Sequence, residues 1–252
     1  MLVLLSPSKT LDETPLLHPV KATQPQFMQE TALLHAALKK KSPSQLKKLM
    51  GISDKLAELN HGRFQSFNPS LYSHDNAKPA LFLFKGDVYD AMPVAQYDAA
   101  TLAYAQAHLR ILSGFYGLLR PLDLIQPYRL EMGTRLRVGK TKDLYGFWGV
   151  QLSAAINQTN ENLLVNLASE EYFKAVDKKA LKLPLLHVQF KERKGGQYKI
   201  IGLMAKRARG MMADYILQHR IEDPEGIKNF QAGGYGFNAS LSDTGRWVFT
   251  RG

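Results

Sequence analysis

The sequence predicts a mixed α/β (α+β) fold. It reads as one compact domain over residues 1–252, with a mixed sheet, a helix-hairpin-helix-like element at about 43–67 and a basic cleft. Three observations carry this expectation. Short apolar runs of strand length recur at 2–5, 111–112 and 163–167, and each gives way to glycine or polar residues. Segments with helical apolar spacing alternate with them. No linker, low-complexity tract or internal repeat divides the chain.

Taken in order, residues 2–5 form a buried strand ending at Ser6-Pro7. Residues 11–23, with Pro15 and Pro19, read as irregular, and a helix follows over about 26–40. Pro43 suits a first helical turn, Gly51 ends that helix, and Ser53 caps a second one reaching Phe64. Residues 80–84 read as a second buried strand, and a helix from about Asp98 runs to Leu109. The segment 110–136, RILSGFYGLLRPLDLIQPYRLEMGTRL, organises the chain. Gly114 and Gly117 permit tight turns or close backbone approach, while Pro121 and Pro127 keep a helix from crossing it. Asp143 caps a helix to about Ile156, and Ser169 caps a short one after the strand at 163–167. Residues 185–203 read as a hairpin around Gly195-Gly196, 205–220 as an amphipathic helix, and the C-terminal segment as a hairpin adding edge strands.

Thirty-three Lys and Arg against 22 Asp and Glu leave a net charge of +11. Such an excess concentrates polyanions, with nucleic acid ahead of an anionic membrane surface, although solubility alone also accounts for basic chains. The chain has no cysteine, which excludes disulfides, zinc fingers and thiol redox sensing. No signal peptide or membrane-length apolar run is evident, so a cytoplasmic protein without membrane contact is expected.

The segment 43–67 joins two short helices by a Gly-hydrophobic-turn-Lys sequence, as in a helix-hairpin-helix. In that arrangement hairpin amides and the second helix's N-terminus meet a phosphate without reading bases. Gly51 and Ser53 would shape the turn, and Lys47, Lys48, Lys55 and Arg63 would supply charge. Ser53 replaces the usual second glycine, and Asp54 puts a negative charge at the phosphate position, so two helices merely packing on the core remain the other reading. Lys191, Arg193 and Lys194 at the hairpin tip, with Arg207, form a second basic stretch.

Polar side chains recur just beyond strand ends, a usual place for binding loops in α/β proteins. Lys9, Lys85, Asp87, Tyr116, Arg120, Asn166, Ser169 and Glu170 fit that description. Tyr128, Arg129 and Glu131 in the organising loop, and Lys206 and Arg209 at the start of the basic helix, could complete one cleft. Arginines beside carboxylates suit either oxyanion recognition or a closed ion-pair network. The seven histidines lie far apart, and none pairs at helical ligand spacing, so no metal site and no cofactor are expected. Asp87, Glu131 and Glu170 could gather as ligands, but carboxylates like these more commonly end in ion pairs.

LLSPSKT at 4–10, ISDKLAELNHGRF at 52–64, FKGDVY at 84–89 and LSGFYGLLRPLDLIQPYRLEMG at 112–133 resemble the YaaA family of bacterial peroxide-stress proteins. LYGFWG at 144–149, NLASEEYFKAV at 166–176 and KRARGMM at 206–212 continue the likeness over nearly the whole chain. The resemblance implies a role in surviving hydrogen peroxide by keeping intracellular free iron low. It also implies DNA binding by an unusual mixed α/β fold with a helix-hairpin-helix, and brings no catalytic residues. The expectation is a monomeric protein that binds duplex or distorted DNA largely without sequence specificity and limits iron-dependent oxidative damage. The alternative is an enzyme acting on a nucleotide, nucleobase or phosphate-bearing small molecule held as an anionic ligand in the strand-end cleft.

Overall fold

The computed structural model describes residues 1–17 and 20–252, so His18 and Pro19 lie outside the described residues. The strands are β1 (Leu2–Leu5), β2 (Thr10–Leu11), β3 (Lys78–Pro79), β4 (Phe84–Lys85), β5 (Leu109–Ser113) and β6 (Gly117–Leu119). They continue with β7 (Leu124–Ile125), β8 (Leu164–Asn166), β9 (Leu185–Lys194), β10 (Gln197–Lys199), β11 (Gly236–Phe237) and β12 (Arg246–Arg251). The main sheet runs β11-β12-β9-β8-β1-β5-β6, with β10 hairpinned onto β9. Its five central strands, from β12 to β5, are parallel, while β6, β10 and β11 add antiparallel edges. The fold is therefore the mixed α/β one that the sequence predicts.

β1 lies at the centre because all four of its side chains are apolar and buried, as a parallel strand covered on both faces requires. From β1 the chain reaches β5 on one side, and later returns to place β8 on the other. The loops leaving β1 and β8 consequently diverge at a topological switch point, where open α/β sheets form crevices.

The helices are α1 (Met28–Lys39), α2 (Pro43–Met50), α3 (Asp54–Ser66), α4 (Ala80–Leu83), α5 (Ala99–His108), α6 (Leu144–Trp148), α7 (Gln151–Asn157), α8 (Glu170–Phe173) and α9 (Gly202–Gln218). Local chemistry sets several boundaries. Ser42 and Gln45 form a reciprocal capping box on α2, and Gly51 ends that helix at φ 62°. Ser53 accepts from the Leu56 amide to cap α3, and Asp98 from the Thr101 amide to cap α5. Gly195 and Gly196, at φ 58° and 77°, make the tight β9–β10 turn.

Three local expectations are corrected. Of residues 80–84, expected as a strand, 80–83 form the single turn α4 and only Phe84 enters a strand, β4, because the Ala80 and Leu81 amides bond the Asp123 and Pro121 carbonyls. A four-residue apolar run does not distinguish a buried strand from a buried helical turn. The helix expected over 143–156 breaks into α6 and α7 at Gly149, whose φ of 47° and ψ of −124° no helix accommodates. Ser169 precedes α8 in extended conformation but makes no side-chain cap; its hydroxyl is engaged with Ser6 instead.

Two glycines set close approaches. A Cβ on Gly114 would overlap the Leu130 carbonyl oxygen, and one on Gly117 would lie 2.7 Å from the Trp148 ring. Trp148 is fully buried and donates its indole N–H to the Gly114 carbonyl at 3.1 Å, locking the organising loop onto α6.

Candidate functional site

The crevice at the switch point is built from the loops after β1 and β8. Ser6 donates its hydroxyl to Ser169 Oγ at 3.3 Å and accepts from the Ser169 amide at 2.9 Å. Tyr89 donates to the Ser6 carbonyl at 2.8 Å. The organising loop closes one side. Glu131 pairs with Lys9 at 2.6 Å and Arg129 at 3.2 Å, and the Gly133 amide donates to Glu171 at 3.0 Å. Beneath lie Tyr89, Tyr128 and Tyr172, whose hydroxyls burial pushes well above the ordinary tyrosine range. All three therefore stay neutral and act as hydrogen-bonding groups at physiological pH.

Beside this crevice opens a cavity of about 1180 Å³, walled by α8, β9, the start of α9 and the turn before β12. Asn166, Glu170 and Arg209 line it. His187, which sequence reasoning passed over, lines it as well, as the direct register partner of Asn166 on the paired strand. The Asn166 side-chain Oδ1 accepts from the Ala168 amide at 2.9 Å, which turns Nδ2 toward His187 Nδ1 at 3.0 Å. Nδ1 is then the acceptor, and the neutral ring carries its proton on Nε2. Only the β8–β9 pairing creates this contact; an isolated histidine in a strand offers no periodic signal for it.

Burial, followed by the nearby Lys178 and Arg246 charges, holds His187 below the usual histidine range. The unfolded chain takes up this proton from about pH 6.5 downward, before the folded one does. The stability that neutral His187 contributes is present above that pH and is lost as pH falls through the folded value. In urea melts at pH 7.5 and 5.5, wild type is expected to lose more stability on acidification than His187→Gln. Equal losses would show that the ring does not titrate this way.

The remaining candidates are distributed as follows. Ser169 and the Lys9–Glu131–Arg129 cluster border the crevice. Asp87 meets Lys206 at 3.9 Å, where α9 crosses the segment after β4, and Lys85 sits 3.9 Å from Asp12 beside a separate cavity of about 600 Å³. Tyr116 is core: its hydroxyl accepts from the Gln126 amide at 2.9 Å and donates to the Gln126 carbonyl at 3.2 Å. Tyr128 is core too, 2.6 Å from Ser113 Oγ and stacked on Phe115. Arg120 lies at the far end of the sheet, because β6 runs back antiparallel to β5 and carries it away. There it pairs with buried Asp123 at 3.0 Å. Convergence on a single pocket is thus partial, and ion pairs absorb Asp87 and Glu131. Among the described residues no group of three His, Asp or Glu side chains is placed to hold a metal ion.

On the helical face, Lys48 and Lys55 are exposed and form no ion pair among the described residues, whereas Lys47 pairs with Asp54 at 2.8 Å. Arg63 pairs with Glu13 and bonds Asn60. Gly51 and Ser53 form the α2–α3 turn. Arg193 and Lys194 are exposed near the β9–β10 tip, Lys191 is half-buried in β9, and Arg207 is exposed near the start of α9. No helix among the described residues is long and apolar enough to cross a membrane.

The model of the family described as "Peroxide stress protein YaaA" matches residues 1–241. A "UPF0246 protein" of Hahella chejuensis (strain KCTC 2396) is 50% identical over 256 residues, covering 100% of this chain and 99% of the relative. Another of the same name, from Janthinobacterium sp. (strain Marseille), is 49% identical over 255 residues, covering 100% and 98%. Full-length identity at this level, with the family match over nearly every residue, means that the chain belongs to the YaaA family of peroxide stress proteins.

Proposed function

We propose that this peroxide stress protein binds DNA through its phosphates, duplex or distorted and without sequence readout. On this reading it limits iron-dependent oxidative damage to DNA, in association with lower intracellular free iron. The α2–α3 turn is the observation that carries the DNA contact. Lys48 and Lys55 stand exposed and unpaired among the described residues on either side of Gly51, at the positive end of α3. Asp54, which would repel a phosphate there, has its charge offset by Lys47. The net charge of +11 supplies the long-range attraction.

Phosphate-dominated binding weakens steeply with salt, by counterion release. Fluorescence anisotropy on unrelated duplexes, bubbles and single strands across a salt series is expected to show that dependence with little sequence preference. Lys48→Glu combined with Lys55→Glu is expected to cost roughly tenfold or more in affinity and to lower the salt slope by about 2. A salt-insensitive signal, or one confined to a single sequence, would overturn the proposal. Unchanged affinity with a native melt would transfer the interface to Lys191, Arg193, Lys194 and Arg207.

A further inference from the structure

Arg209, itself half-buried, differs from the other arginines whose Nε is buried. Its Nε is buried without a hydrogen-bond partner among the described residues. Arg63 and Arg129 also leave Nε bare, but Glu13 and Glu131 neutralise them. Arg209 has no carboxylate at ion-pair distance among the described residues; Glu170 acts on it only through space. Burial accordingly lowers the pKa of its guanidinium from the usual value. A desolvated cation held this way is costly unless an anion completes it.

The rest of the cavity wall has the same unfilled character. Arg246 is taken by Asp243 at 2.8 Å, and Asp177 is occupied by the Lys179 amide at 2.8 Å. Lys178 forms no ion pair among the described residues and stands 5.7 Å over the Phe173 ring. The fixed tautomer of His187 leaves its Nε2–H as a donor, since Nδ1 is used by Asn166. Against these three donors stand two carboxylates without an ion pair among the described residues, Glu170 and Asp177, while Lys174 and Lys179 add further positive charge to the wall. Donors outnumber acceptors in a space of about 1180 Å³, which is ample for a nucleotide-sized molecule.

We propose that this cleft binds a small organic phosphate, a sugar phosphate or nucleotide, with Arg209, Lys178 and His187 Nε2–H converging on the phosphate oxygens. A guanidinium fork beside an ammonium and a neutral N–H donor matches a tetrahedral oxyanion. The site shares no residue with the α2–α3 turn and is independent of DNA binding there.

Calorimetric titration of the full chain with AMP, ribose 5-phosphate and inorganic phosphate tests this. Saturable one-site binding of an organic phosphate is expected, weakened about tenfold or more in Arg209→Met and in Lys178→Ala. Arg209→Met keeps the aliphatic stem packed, and Lys178 is exposed, so loss of fold cannot imitate loss of binding in both variants. Equal binding of AMP and ribose 5-phosphate would identify a sugar-phosphate site; AMP alone would identify a nucleotide site. The proposal is overturned if neither ester binds, if inorganic phosphate binds as tightly as the esters, or if both variants retain wild-type affinity. It is also overturned if duplex DNA displaces the ester and Arg209→Met abolishes DNA binding, since the cleft would then be a DNA groove.

Discussion

Gly210→Ala is expected to destabilise the protein by about 3 kcal/mol, although alanine in a free helix outranks glycine by about 1 kcal/mol. Gly210 lies within α9, where a Cβ would overlap the Val88 carbonyl oxygen, lie 2.8 Å from its carbon and lie 3.0 Å from Ala91 Cβ. The first obstacle is backbone, anchored by the Tyr89 hydroxyl on Ser6 next door, so it cannot rotate aside. Sterics therefore outweigh propensity. The same displacement would lift Arg209 from its cleft and separate Lys206 from Asp87. Gly202→Ala is the control, since a Cβ there meets nothing within 4 Å. In thermal melts Gly210→Ala should lower Tm by about 10 °C, with Gly202→Ala close to wild type. A Gly210→Ala protein as stable as wild type would mean that α9 has slack to move.

Trp148→Ala carries the other large expected loss, about 4 kcal/mol. The ring is fully buried, packs edge-on against Phe27 and Phe147, and sits where only Gly117 leaves room. Its removal opens a cavity and also orphans the Gly114 carbonyl that accepts the indole N–H. Because that bond holds the organising loop, the loss should spread to the Arg129–Glu131 side of the crevice. Trp148→Phe should recover most of the packing but not the hydrogen bond, leaving a deficit of about 1 kcal/mol or more in urea melts. Stability of Trp148→Phe equal to wild type would show that the bond contributes nothing net.

Elements defined by a few consecutive residues were legible in the sequence. The helix starts at Pro43 and near Asp98, the Ser53 cap of α3, the buried β1 and the Gly195-Gly196 turn are each specified locally. Gly114 and Gly117 were readable as sites of close approach, but the partners they approach were not. Residues 80–84 misled because burial, not periodicity, dominates a run so short. In the site, Glu170, Asn166 and Arg209 could be named from strand-end and helix-start positions. His187 could not, since its role comes from a neighbouring strand's register.

The sequence by itself determined the family, the mixed α/β class, the strongly basic balance and the absence of thiol chemistry, all of which reside in composition or contiguous motifs. The tertiary structure alone decided which polar residues meet. The return of β6 against β5 sent Arg120 to the far end of the sheet, while β8–β9 pairing brought Asn166 to His187. Packing of α9 against β9 left Arg209 half-buried on the cavity wall, its Nε without a partner among the described residues. These outcomes depend on strand order and helix packing between residues tens of positions apart. Charge and burial at such a site are set by the assembled neighbours, so no local pattern encodes them.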